Sequence, residues 1–223
     1  MSRLRGCVAT LTLLIIPAVT VAQVGYPPGR SPYRDIAQGS SITFTGGYFL
    51  GNGGDVGVGP NSGSTFGGRF DLRSGKALSL GLGIGYGQLE RLIVNPFEHK
   101  VTGPFDQSIV FTEALVTLNL TGGKTWHRLA PFVGVAGGLA FSSDVPADTS
   151  GYDFGTKFFF APTAGTRVFF SSRLHLRAEF RANFWRLNYP LSFRQEPDPV
   201  IITGRDSEWD LSPWVLFGFG YTL

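Results

Sequence analysis

Over the last fifteen residues, Trp209 to Leu223, the chain alternates without a break. Leu211, Pro213, Val215, Phe217, Phe219, Tyr221 and Leu223 make one apolar row, while Asp210, Ser212, Trp214, Leu216, Gly218, Gly220 and Thr222 fall between them. A period of two places each row on its own face of a single β-strand. An apolar row of that length calls for an apolar medium outside the strand, and a strand tilted across a bilayer needs about 9–11 residues. The pattern predicts a transmembrane β-barrel.

The same period recurs upstream and predicts seven further strands, at 41–50, 64–72, 77–88, 109–120, 129–141, 158–170 and 174–186. The third is the clearest, with Leu78, Leu80, Leu82, Ile84 and Tyr86 alternating against Ser79, Gly81, Gly83, Gly85 and Gly87. Connections at 51–63, 89–108, 142–157 and 187–208 are long, and those at 73–76, 121–128 and 171–173 are short. Long and short alternate throughout, which matches short periplasmic turns and long outer loops. An even number of strands closes the sheet and leaves no unpaired edge in lipid. The fold expected is all-β, an eight-stranded antiparallel up-and-down transmembrane β-barrel.

A soluble barrel of lipocalin type is the structural rival, because alternation alone does not say which face is outside. The stacked glycines of the third strand weigh against it, since they would leave a soluble exterior almost bare. Inside a narrow barrel they make room for bulkier neighbours.

The first 22 residues read as a cleavable secretory signal, with Arg3 and Arg5, an apolar run from Val8 to Ile16, Pro17 and a small-residue exit at Ala22. Its removal lowers the formal net charge from +3 to +1 over 201 residues, so nothing in the charge calls for nucleic acid. The single cysteine, Cys7, leaves with it and precedes the apolar run, so neither a disulfide nor a lipid anchor is expected. Residues 23–39, rich in proline, read as an extended periplasmic leader, and 40–223 as the barrel domain.

The terminal segment Trp214-Val-Leu-Phe-Gly-Phe-Gly-Tyr-Thr-Leu223 resembles the OmpA-like and opacity-protein-like outer-membrane β-barrel family. So do Pro131-Phe-Val-Gly-Val-Ala-Gly-Gly-Leu139 and Arg173-Leu-His-Leu-Arg-Ala-Glu-Phe180. The resemblance spans roughly Ser40 to Leu223; one departure is Leu223, where the family ends in an aromatic residue. It implies a monomer in the outer membrane of a Gram-negative bacterium. Its partners would be membrane lipid, lipopolysaccharide, periplasmic chaperones and the barrel-insertion machinery.

Charged residues mark the inner face. Arg69, Asp71, Glu113, Arg167, Arg177, Glu179 and Arg181 all fall on the row opposite the apolar one. A basic residue facing lipid near the midplane costs about 2–4 kcal/mol, so these side chains point inward. The tight 171–173 turn is expected to bring Glu179 between Arg167 and Arg177. One reading of such a cluster is a selectivity ring for ions. The reading favoured here is a plug, because eight strands leave an interior only wide enough for side chains.

Chemistry finds little support. His99, His127 and His175 share no strand face with a nearby serine, and they are too scattered for a metal site, so no catalytic group and no cofactor is expected. Gly123-Lys124-Thr125 lacks the first glycine and the strand-to-helix setting of a phosphate loop. Function is then expected in the loops, as a structural or adhesive surface. Leu92, Ile93, Val94 and Phe97 in one long loop, and Tyr189, Leu191, Phe193, Val200, Ile201 and Ile202 in another, are candidate contact residues for an extracellular ligand. The reading favoured over that contact surface has these hairpins continue beyond the membrane and pack on each other.

Overall fold

The computed structural model describes residues 31–96, 100–193 and 206–223. From Pro32 onward they form one compact unit. Eight long strands make its wall: β1 (Ser40–Asn52), β2 (Pro60–Arg73), β3 (Leu78–Asn95), β4 (Lys100–Asn119), β5 (Leu129–Ser142), β6 (Thr156–Phe169), β7 (Leu174–Asn188) and β8 (Ser207–Thr222). Each pairs antiparallel with its neighbour in sequence, and β8 pairs with β1, so the sheet closes on itself. Closure satisfies every wall strand on both sides, as a hydrocarbon medium requires.

The face assignment is decided by exposure. Leu82 and Ile84 are 66% and 62% exposed, whereas Arg69, Thr117 and Arg177 on the opposite row are buried. Phe44, Phe66, Phe180, Phe217 and Phe219 continue the outer belt around the barrel. A belt of large apolar side chains facing outward on all strands is stable against lipid and not against water. The lipocalin-type alternative, with its apolar row inside, is set aside.

Small residues let the wall close tightly. At Gly138 an added Cβ would run into the Thr112 carbonyl and sit 2.9 Å from Glu113 Cα, so β4 and β5 approach there as only glycine permits.

Two segments depart from expectation. The β3–β4 hairpin runs on to Asn95 and Lys100, where a loop was predicted from Leu89 to Ser108. Alternation persists through Leu89, Arg91 and Ile93, but its meaning reverses: these point inward, while Gln88 and Glu90 point out. Above the lipid band the outer row meets water and turns polar, so the apolar-outside signal vanishes while the strand continues.

The second departure is in the leader. Tyr33–Asp35 forms a short strand paired antiparallel with Lys124–Trp126 of the turn between β4 and β5. Ile36 then buries against Ala130 and Phe169. Its amide donates to the Gly123 carbonyl at 3.0 Å, and the Ala37 amide to the Ser172 carbonyl at 3.3 Å. Arg73 donates to the Ala37 carbonyl at 3.1 Å, so this segment bridges all three short turns. Residues 1–30, including the expected signal, lie outside the described residues.

Candidate functional site

The barrel interior divides into two unlike halves. Toward the short turns it is ionic. Glu179 is the hub: its Oε2 accepts from Arg177 Nε at 2.5 Å and Arg69 Nη1 at 3.5 Å, and its Oε1 accepts from Arg181 Nε at 2.7 Å and Thr163 Oγ1 at 2.8 Å. Arg181 also grips Glu113 with both terminal nitrogens, one of them at 3.0 Å. Arg69 Nε donates to Asp71 at 3.2 Å. Arg177 and Arg181 reach Glu179 because residues i±2 on a strand share a face.

Arg167 is not a partner of Glu179, contrary to the expectation from the 171–173 turn. In the β6–β7 register Glu179 lies opposite Gly165, and Arg167 lies opposite Arg177. Two like charges meet there, so the Arg167 side chain turns away to the Asn119 side-chain oxygen on β4. Its guanidinium and that of Arg177 both cover the ring of Phe132, at 5.6 and 3.9 Å from the centroid. Cation–π contacts of this kind partly offset the burial of charge.

Toward the long loops the interior is aromatic. Phe49, Phe111, Phe154, Phe159, Trp185 and Trp214 pack with ring centroids 5.0 to 6.0 Å apart. Each indole N–H finds an acceptor, Trp185 on Asp210 at 3.0 Å and Trp214 on Thr65 at 2.8 Å. Burying an indole costs little once its N–H is paired. Arg181 sits over Trp214, 5.1 Å from the ring centroid, and marks the border between the halves. This aromatic filling was missed in the sequence, although Phe49, Phe111, Phe159 and Trp185 occupy inward positions whose strand parity was already legible.

The long loops close over that half. Arg91, buried on β3, donates to the carbonyls of Val58 at 3.0 Å and Tyr152 at 3.1 Å, pairs with Asp148, and covers the Tyr152 ring at 4.8 Å. One guanidinium thereby holds the 53–59 and 143–155 segments to the β3–β4 hairpin. Glu208 on β8 does similar work, accepting from the Asp55 amide at 2.7 Å and from the Tyr189 hydroxyl. Burial raises the Glu208 carboxyl above its usual range. Burial, then the Glu208 contact, raises the Tyr189 phenol.

These loops correct the expected contact surface. Ile93, Val94, Tyr189 and Phe193 are buried, Phe193 completely, and Val94, Tyr189 and Phe193 belong to the same core as Trp185. Leu92 is half-buried and Leu191 is 62% exposed. The loop side chains that look adhesive in sequence are the stopper of the barrel mouth: they leave water by turning inward, at no cost in polar pairing. Phe97, Val200, Ile201 and Ile202 lie outside the described residues.

No group of three His, Cys, Asp or Glu side chains suited to a metal occurs among the described residues. His175 is buried at the short-turn end, with its ring 5.0 Å from that of Phe169.

No protein-family model and no curated protein matches the sequence. Solved structures do match in fold. The outer membrane protein OprG from Pseudomonas aeruginosa aligns at 14% identity with a TM-score of 0.51, covering 85% of this chain and 98% of that one. Neisserial surface protein A aligns at 12% identity with a TM-score of 0.51, covering 86% and 98%. The chain has the fold of the small outer-membrane β-barrels.

Proposed function

We propose that this protein is a closed, non-catalytic barrel of the Gram-negative outer membrane, exported with residues 1–22 as a cleaved signal. On this reading it is structural, and it acts through its outer surface rather than by passing solute. The observation that carries the proposal is the double filling of the interior. An ion moving along the axis would have to displace the Phe49–Trp185–Trp214 cluster and then part Glu179 from three guanidiniums. Neither is a wet, weakly binding path of the kind conduction needs. Contacts with lipid and lipopolysaccharide follow from the apolar belt. Any protein or glycan partner would meet the outer row of the β3–β4 hairpin, with the exposed Val101 at its tip, and the exposed Leu191, because Ile93, Val94, Tyr189 and Phe193 face inward.

The test is conductance in a planar bilayer at high salt. The purified full-length protein should insert without producing steady current steps. Long-lived open levels would overturn the closed reading and favour a channel.

A further inference from the structure

The ionic half of the interior is not charge-balanced. Arg69, Arg167, Arg177 and Arg181 oppose Asp71, Glu113 and Glu179, so one guanidinium has no counter-charge within the network. That guanidinium is Arg167. Its one side-chain hydrogen bond goes to the neutral Asn119, and no described carboxylate pairs with it. Directly across the sheet stands Arg177, whose own carboxylate, Glu179, is shared with Arg69 and Arg181.

Donors are left over on the side chains of this same cluster, where one acceptor, Asp71 Oδ1, is also unpaired. Arg167 Nε, Arg177 Nη2, Arg69 Nη2 and the Asn119 amide nitrogen are all buried and have no hydrogen-bond partner among the described residues. Arg167, Arg177 and Arg69 are 5%, 2% and 4% exposed. Buried donors find partners in nearly every folded protein, and buried charge finds counter-charge. Phe132 covers the faces of the Arg167 and Arg177 guanidiniums, which leaves their in-plane N–H groups as the reactive edges. In-plane guanidinium N–H groups are matched to anions.

The geometry points to a small inorganic anion, chloride or phosphate, bound between Arg167 and Arg177 inside the barrel, with the Asn119 amide as a further donor. It supplies the charge the network lacks and separates two guanidiniums that the strand register sets opposite each other. It enters from the short-turn end, because the aromatic cluster fills the other. It is a structural ligand, so its site does not require conduction.

The test uses the full chain refolded in detergent, unfolded by urea in sodium chloride, sodium phosphate or sodium gluconate at matched ionic strength. Binding to the folded state raises the unfolding midpoint in a saturable way. Chloride, phosphate or both should raise it and gluconate, too large for a side-chain-filled interior, should not; the difference between the first two arms identifies the anion. Crystals grown in bromide should show an anomalous peak within hydrogen-bond reach of Arg167 Nε and Arg177 Nη2. Asn119→Asp places a carboxylate beside Arg167, and Arg167→Met removes the surplus charge without orphaning an acid. Both variants should lose the anion-dependent shift. Equal midpoints in all three salts, a shift that survives Asn119→Asp, or a bromide peak with no saturable shift (an adventitious ion only) would each overturn the proposal.

Discussion

Glu179 shows what a single buried carboxylate does in a barrel. It holds three arginines from two strands, at 2.5, 2.7 and 3.5 Å. Glu179→Gln keeps the shape and removes the charge, leaving three guanidiniums clustered around a neutral amide. Breaking a buried pair from one side costs about 3–5 kcal/mol. Urea unfolding in detergent should show a loss in that range, and an unchanged midpoint would mean that the network contributes little. Two glycines of β3 give a sharper comparison. A Cβ at Gly83 would lie 2.9 Å from Glu113 Cγ, and Glu113 is held by Arg181, so it yields only by losing that pair. A Cβ at Gly85 meets nothing closer than the Phe66 carbonyl at 3.5 Å. Gly83→Ala should therefore lower the midpoint, while Gly85→Ala should leave it level or raise it slightly through lower unfolded-chain entropy.

At the scale of elements, the long-loop end is a set of clasps on a rigid wall. The Glu208 clasp joins the 53–59 segment and Tyr189 to β8 through one carboxyl oxygen. Because burial raises that carboxyl, the folded state holds its proton more tightly than the unfolded chain does. The clasp's contribution is therefore fully present below the ordinary carboxylate range and lost as pH rises through the raised folded value. Hydrogen exchange around Asp55 and Tyr189 should be slowest in acid, after correction for intrinsic rates, and should quicken on the way to neutral pH. Glu208→Gln should flatten the dependence while keeping an acceptor; a variant that still tracks pH would exclude Glu208 as the titrating group.

For the molecule as a whole, stability depends on a medium that the protein does not contain. Leu82 lies in the outer belt at 66% exposure, and Leu82→Arg sets an unpaired charge against lipid. The cost should be about 2–4 kcal/mol near the midplane. It should appear as lost resistance to unfolding in a detergent gel run without boiling. Full tolerance of the arginine would mean that this belt does not face hydrocarbon.

The strand count, the closure and the two faces were legible in the sequence because lipid imposes a strict period of two, as in Leu78 to Tyr86 or Leu211 to Leu223. Along these strands a charge in the outer row carries a penalty, so parity alone separates inside from outside. Where the lipid ends, that rule ends with it. Hence the strand boundary was set too early, at Leu89, and Ile93, Val94, Tyr189 and Phe193 could be read either as packed hairpin or as contact surface; the structure packs them. Which partner each inner charge chooses was not legible either. Parity places Arg167, Arg177 and Glu179 on one face, but the β6–β7 stagger sets Arg167 against Arg177 and leaves Glu179 to Arg177, Arg181 and, across the barrel, Arg69. Register and cross-barrel distance are properties of the closed sheet, so only the tertiary structure could decide them.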